Sequence, residues 1–276
     1  MKKKTMFSLV LLFFSMSVWA EEAVKPPMVE IKCSIKPIDR SEIHLSSNHE
    51  TAQPPTSPTS KTTSPNWCGY VAATDFKGTS ADGTVTYVGG SWTIPVIWPA
   101  TDETYCAVWV GMDGYLNDVV ERIGTCHNWV NNSQQNFAWF EIYPRGVYEI
   151  SNFPVANGDV IGAEVSYQGH STFKLAIYNY TQGVSTVIPS TLTLSTSSLR
   201  SSAQWIVEST LGEDFSEFQS VNFNDCSAVI DGVSGDIDDR AWKNDKIIMK
   251  NKGGVKAKPS ALFNGGSSFN VTWKSN

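Results

Sequence analysis

The sequence predicts an all-β fold, an antiparallel sandwich or barrel. Three observations predict it. Short segments rich in Val, Ile, Thr, Tyr, Phe and Trp follow one another, separated by turn residues such as Ala81-Asp82-Gly83, Asp113-Gly114, Asn157-Gly158-Asp159 and Gln182-Gly183. No amphipathic pattern of helical period runs beyond two turns, and no segment repeats. Aromatic residues are abundant, with ten Trp, nine Tyr and thirteen Phe, more than a core of this size requires.

The chain of 276 residues opens with Lys2, Lys3 and Lys4, an apolar run from Met6 to Met16, and Val18-Trp19-Ala20. This is the pattern of a secretory signal peptide over 1–20, too short to span a bilayer. Residues 21–65 differ in composition, with Ser, Thr and Pro dominating Ser46 to Pro65. Such a stretch buries too little apolar surface to offset its ordering entropy, so it reads as a pro-segment or a linker. Residues 66–276 have the size of one domain. The protein is expected to be secreted, to the periplasm or the medium, and to be a monomer without membrane attachment once the signal is removed.

Within that domain, strands are expected at Tyr70 to Phe76, Thr84 to Ile94, Tyr105 to Gly111, Asp118 to Gly124 and Asn136 to Tyr143. They continue at Asp159 to Tyr167, Thr172 to Tyr180, Ala203 to Ser209, Ser220 to Phe223, Asp245 to Lys250 and Ser268 to Trp273. A net charge of −6 argues against nucleic acid or an anionic membrane as partner. Only 17% of residues are charged, a surface compatible with work in acid.

Of five cysteines, Cys33 falls in the 21–65 segment. Cys68, Cys106, Cys126 and Cys226 are expected to pair as two disulfides in an oxidising compartment, and three connectivities remain open. No cysteine pair has zinc spacing, and no metal or cofactor motif occurs: dinucleotide and phosphate loops, His-Glu-x-x-His, Gly-x-Ser-x-Gly and calcium loops are all missing. Carboxylates are left to carry chemistry, with Asp113, Glu141 and Glu208 as candidates.

Ala203-Gln204-Trp205-Ile206-Val207-Glu208 is the most telling stretch. Strand alternation puts Ile206 and Glu208 on one face and Trp205 and Val207 on the other. A carboxylate among large apolar groups suits general acid–base work, although this stretch alone reads more readily as carrying an ordinary solvent-facing strand residue. Trp139, Glu141 and Tyr143 likewise share a face. That face is either a core with a polar edge or the floor of a cleft for an extended polymer, peptide or sugar.

Five motifs follow one another along the chain: Asn66-Trp67-Cys68-Gly69-Tyr70, Ser91-Trp92-Thr93-Ile94-Pro95, Trp109-Val110-Gly111-Met112-Asp113-Gly114, Ala138-Trp139-Phe140-Glu141-Ile142-Tyr143-Pro144 and Trp205-Ile206-Val207-Glu208. In that order they resemble the motifs of the eqolisins, the secreted glutamic peptidases that act in acid. The resemblance runs from about Asn66 to at least Phe223. It implies a β-sandwich of two antiparallel sheets, of the concanavalin or jelly-roll kind, with the active site on the concave face of one. It implies a protein or peptide substrate and a Glu/Gln dyad. The Glu is the general base on water and later the acid for the leaving amine; the Gln amide holds the water and the oxyanion.

By position Glu208 takes the Glu role, and Arg122 stands where the family has its Gln. Trp109, Asp113, Trp139 and Glu141 fall on positions that line or support the cleft. An arginine facing Glu208 has three expected effects. It weakens Glu208 as a base, it offers strong donors to an oxyanion, and it can fill the site as a salt bridge. A one-residue slip that turns Glu121 inward would flip all its neighbours. Two alternatives to a peptidase follow: an inactive relative that binds peptide or carbohydrate in the same cleft, and a glycosidase using Glu141 with Glu208.

Overall fold

A computed structural model of the chain describes residues 28–38, 62–76, 84–115, 117–195, 198–209 and 214–275. The expected signal peptide, and most of the Ser/Thr/Pro-rich stretch, lie outside the described residues. Among the described residues there are strands, turns and one 3-10 turn at Asn264–Gly266, and no α-helix.

In chain order the strands are β1 (Val29–Glu30), β2 (Ser34–Ile38), β3 (Thr62–Ser64), β4 (Trp67–Ala73), β5 (Val85–Thr93), β6 (Thr104–Tyr105) and β7 (Ala107–Asp113). Then come β8 (Val120–Val130), β9 (Ser133–Ile142), β10 (Gly146–Ser151), β11 (Val160–Gly169), β12 (Thr172–Asn179) and β13 (Val184–Val187). The last are β14 (Ala203–Glu208), β15 (Asp214–Phe215), β16 (Val221–Ile230), β17 (Val233–Asp236), β18 (Lys243–Asn251), β19 (Gly254–Pro259) and β20 (Phe269–Trp273).

One sheet runs β2–β10–β9–β8–β7–β14–β4–β18. The second runs β1–β13–β12–β11–β5–β16–β20–β19. The β18–β19 hairpin joins them along one edge, and β5 and β11 lie across the core from β7. This is the expected two-sheet sandwich. Three short pairings depart from the antiparallel rule: β1 with β13, β3 with β18 and β6 with β15 are parallel.

Strand alternation decides where the core sits. Val108, Val110, Met112, Ile123, Phe140, Trp205 and Val207 face Val88, Trp92, Val165, Leu175 and Phe223 between the sheets. Each such side chain contributes about 1.5–3 kcal/mol by leaving water. The alternate residues on the first sheet, Trp67, Trp109, Trp139 and Ile206, form a second apolar cluster on its other face. The candidate site lies there.

The expected disulfides are absent: Cys33, Cys68, Cys106, Cys126 and Cys226 are free thiols. The register explains one pairing that fails. Ala107, not Cys106, stands opposite Cys126, so Cys106 packs between the sheets while Cys126 packs with the tryptophans on the far face.

Candidate active site

Arg122, Glu141 and Glu208 meet at the centre of that outer face, and all three are fully buried. The ladders place them. Arg122 on β8 stands directly opposite Glu141 on β9 and opposite Gly111 on β7. Glu208, at the end of β14, stands between Ala107 of β7 and Trp67 of β4. Parity holds as expected: Ile206 packs in the outer cluster, and Trp205 and Val207 pack between the sheets.

Two glycines clear the space. A Cβ at Gly111 would stand 2.9 Å from the Arg122 Cβ and 3.1 Å from the Trp109 ring. A Cβ at Gly124, which pairs with both Trp109 and Trp139, would stand 2.6 Å from the Trp109 Cβ. The indoles therefore flank the guanidinium, whose carbon lies 4.9 Å from the Trp109 ring centroid and 5.2 Å from that of Trp139.

Arg122 bridges the two carboxylates. Its Nη1 donates to Glu208 Oε2 at 2.6 Å, and its Nε donates to Glu141 Oε2 at 2.8 Å. Nη2 lies 2.7 Å from the same Glu141 oxygen as an ion pair, yet it has no aligned hydrogen bond among the described residues. Trp109 Nε1 also donates to Glu208 Oε2, at 2.9 Å. Trp139 Nε1 is buried without a hydrogen-bond partner among the described residues. Burial pulls the Arg122 guanidinium below its ordinary value, and Glu208 acts against that fall.

Asp113 does not reach this group. It sits at the end of β7 with a left-handed backbone, φ 63°, and its carboxylate is turned to the 198–201 turn. Oδ2 accepts from Ser198 Oγ at 2.8 Å and from the Leu199 and Arg200 amides at 2.9 and 2.7 Å. Oδ1 accepts from the Ser201 amide and hydroxyl at 2.7 and 2.8 Å and from Asn117 Nδ2 at 3.0 Å. That turn leads into β14, so Asp113 supports the strand that carries Glu208 and does not touch Arg122 or Glu208.

Glu121 faces the opposite side of β8 from Arg122, which excludes the one-residue slip. Its Oε1 accepts from Ser195 Oγ at 2.6 Å, and its Oε2 lies 3.0 Å from Ser198 Oγ, whose one proton goes to Asp113 at 2.8 Å. Burial, and then the neighbouring Asp113 charge, push it up to about 8. Sequence reasoning missed Trp67 as a site residue, although its parity with Gly69 on one strand was a usable signal. Trp67 packs edge-on to Trp109 with centroids 5.2 Å apart. No group of three or more His, Cys, Asp or Glu suited to a metal occurs among the described residues.

The sequence profile of the Peptidase A4 family matches residues 65–273. Aspergillopepsin-2 of Aspergillus niger is 29% identical over 136 residues, 47% of this chain and 48% of that protein. Scytalidopepsin B of Scytalidium lignicola is 27% identical over 188 residues, 63% of this chain and 67% of that protein. The match thus spans about half the length of the first relative. Scytalido-glutamic peptidase, solved with a transition state analog inhibitor, matches with a TM-score of 0.63 at 20% identity, over 76% of this chain and 98% of that one. Aspergilloglutamic peptidase from Aspergillus niger matches with a TM-score of 0.51 at 24% identity, over 62% and 99%. These two likenesses are likenesses of fold.

Proposed function

The chain belongs to the Peptidase A4 family, the eqolisins, and from that premise we propose that it is a secreted endopeptidase of the glutamic type, hydrolysing peptide bonds in acid. Glu208 is the general base. It takes a proton from water as the water oxygen attacks the scissile carbonyl carbon. The carbonyl π electrons move to oxygen, and the Nη2 hydrogens of Arg122 receive the oxyanion in place of the family's amide. When the tetrahedral intermediate collapses, the C–N bond breaks and Glu208 passes the proton to the leaving amine.

The observation that supports this reading is the division of labour within Arg122. Nε and Nη1 hydrogen-bond the two carboxylates, while Nη2, ion-paired with Glu141 at 2.7 Å, makes no aligned hydrogen bond among the described residues. A preorganised donor of this kind contributes roughly 3–4 kcal/mol to an oxyanion transition state. Trp109, Trp139 and Glu141 hold the guanidinium in place. The peptide substrate is a reading from the family. One solved relative carries a tripeptide, Ala-Ile-His. The 21–65 segment is read as a pro-segment whose strands β1 and β2 dock on the sandwich.

A second reading has its own support. The ion pairs from Arg122 to Glu141 and Glu208 are short and fully buried, the arrangement of a structural salt bridge. On that reading the cleft binds a polymer without cleaving it. A glycosidase is disfavoured, because the cation between Glu141 and Glu208 occupies the ground a glycosidic oxygen needs.

Digestion of a denatured protein from pH 2 to pH 7 separates the readings, using wild type, Glu208→Ala and Arg122→Gln. Turnover by wild type that vanishes in Glu208→Ala supports the peptidase. Silence of wild type at every pH, with a gain in Arg122→Gln, supports the binder.

A further inference from the structure

The outer face of the second sheet carries a cleft of about 210 Å³, formed by β5, β11, β12 and β16. Nothing in the peptidase reading uses it, and the sandwich core separates it from Arg122. Its makeup is unusual for a sheet surface. Tyr87 on β5 stands opposite Ser166 and Val229, Tyr178 on β12 stands opposite Gly162 and Ser185, and Tyr180 follows just beyond β12. Gly89 lies opposite Glu164, and Gly162 lies between Ser91 and Tyr178.

Those glycines let the rings lie down. A Cβ at Gly89 would stand 2.8 Å from the Tyr87 ring carbon Cζ, and a Cβ at Gly162 would stand 2.6 Å from Tyr180 Cε2. The hydroxyl end of the Tyr87 ring therefore lies over Gly89 and that of Tyr180 over Gly162, and both rings are half-buried. The Tyr178 and Tyr180 rings are parallel within 4°, with centroids 6.0 Å apart.

Acceptors stand beside the rings. Glu164 is held by Lys174 Nζ at 2.7 Å and by the Tyr178 hydroxyl. Asp225 sits where β16 slips register, with φ 51°, and its Oδ2 accepts from Ser91 Oγ at 3.3 Å.

We propose that this cleft is a saccharide site that seats one pyranose ring of a neutral glycan against the rings of Tyr87 and Tyr180, with Glu164 and Asp225 accepting its hydroxyls. A pyranose presents an apolar C–H face and a rim of hydroxyl donors, and the cleft presents the complement. Other ligands fit less well. Two carboxylates oppose a phosphate or sulfate. A cation would find the Glu164 charge already paired with Lys174. A peptide cannot add as a strand, because β5 and β11 are paired on both sides. The site would hold the protein at a polysaccharide or glycoprotein, and it stands whether or not Arg122 permits cleavage.

Titration calorimetry of the full chain with cellohexaose, laminarin, mannan and chitohexaose tests the site. Saturable binding of at least one of these is expected, weakened by about tenfold or more, roughly 1.4 kcal/mol, in Tyr180→Ala. Gly162→Val, which lifts the Tyr180 ring, should weaken it alike. Tyr180→Phe, which keeps the platform, should bind nearly as wild type. Thermal melts confirm that each variant is folded, and digestion of a protein substrate should be unchanged by Tyr180→Ala. The proposal is overturned by no binding of any of the four glycans, or by binding that Tyr180→Ala and Gly162→Val leave intact. Displacement of the glycan by tetramethylammonium at millimolar concentration also overturns it, in favour of a cation cage.

Discussion

Taking Arg122 away leaves Glu141 and Glu208 buried without their shared cation. Arg122→Met should therefore destabilise the fold by about 3–5 kcal/mol, read from urea unfolding. Arg122→Gln should cost less, since an amide can still donate to one carboxylate. In an active enzyme, Arg122→Met should also lower kcat by roughly 100- to 1000-fold, the loss expected for one oxyanion donor. A melt shift without a kcat loss would make Arg122 structural only. The inward parity of Glu208 was legible from its own strand, and its meeting with Arg122, 86 residues away, only from family position. The true work of Asp113 was not legible. Apart from Asn117, its partners stand 85 to 88 residues later in the chain, and no local pattern announces them.

At the scale of elements, β8 holds the site together, pairing with β7 on one side and β9 on the other along most of its eleven residues. Gly124 is its tightest point. Gly124→Ala should overpack the Trp109 stem and cost about 1–3 kcal/mol, measured by the denaturation midpoint. Its effect on peptide turnover should exceed its effect on stability, because it displaces the indole that bonds Glu208. Asp113→Ala should loosen the 198–201 turn and with it β14. Faster amide exchange at Ser201 and Ser202 would report this, and unchanged exchange would argue against the tether. The long buried strands were legible from their composition. The shorter strands β10, β13, β17 and β19 were not. They hold four to six residues each, and β17 and β19 in particular carry Gly, Pro, Lys and Asp that local propensity disfavours. They form because a hairpin or an open edge supplies a partner.

For the whole molecule, two buried groups, Glu121 and His127, bear on the pH dependence of stability between about 4 and 8. Glu121 is pushed up to about 8 from 4.5 by burial and then by Asp113. A raised carboxyl favours the folded state at low pH, so this stability is present below 4.5 and lost as pH rises through about 8. His127 is pushed down to about 4 from 6.5 by burial. Its Nε2 contacts Thr125 Oγ1 and its Nδ1 contacts Asn136 Oδ1, each at 2.9 Å. A lowered histidine favours the folded state above 6.5, and this stability is lost as pH falls through about 4. Between roughly 4.5 and 6.5 the two slopes oppose each other, so the melting temperature should be flat there. It should decline from about 6.5 to 8 as Glu121 alone gives up its proton. Glu121→Gln should flatten that decline, and a wild-type melting temperature that climbs from pH 6.5 to 8 would contradict the assignment.

The sandwich has two open borders, β10 on one sheet and β13 on the other, and a single short stretch of chain closes both. β2 pairs along β10 through five residues, and β1 pairs with β13 through two. Loss of residues 28–38 by proteolysis would leave two rows of unpaired amides and carbonyls at the rim, on strands with few charges to repel a neighbour. The trimmed protein then gains a new tendency, to stack border against border with its own copies, and its solubility comes to depend on how crowded it is.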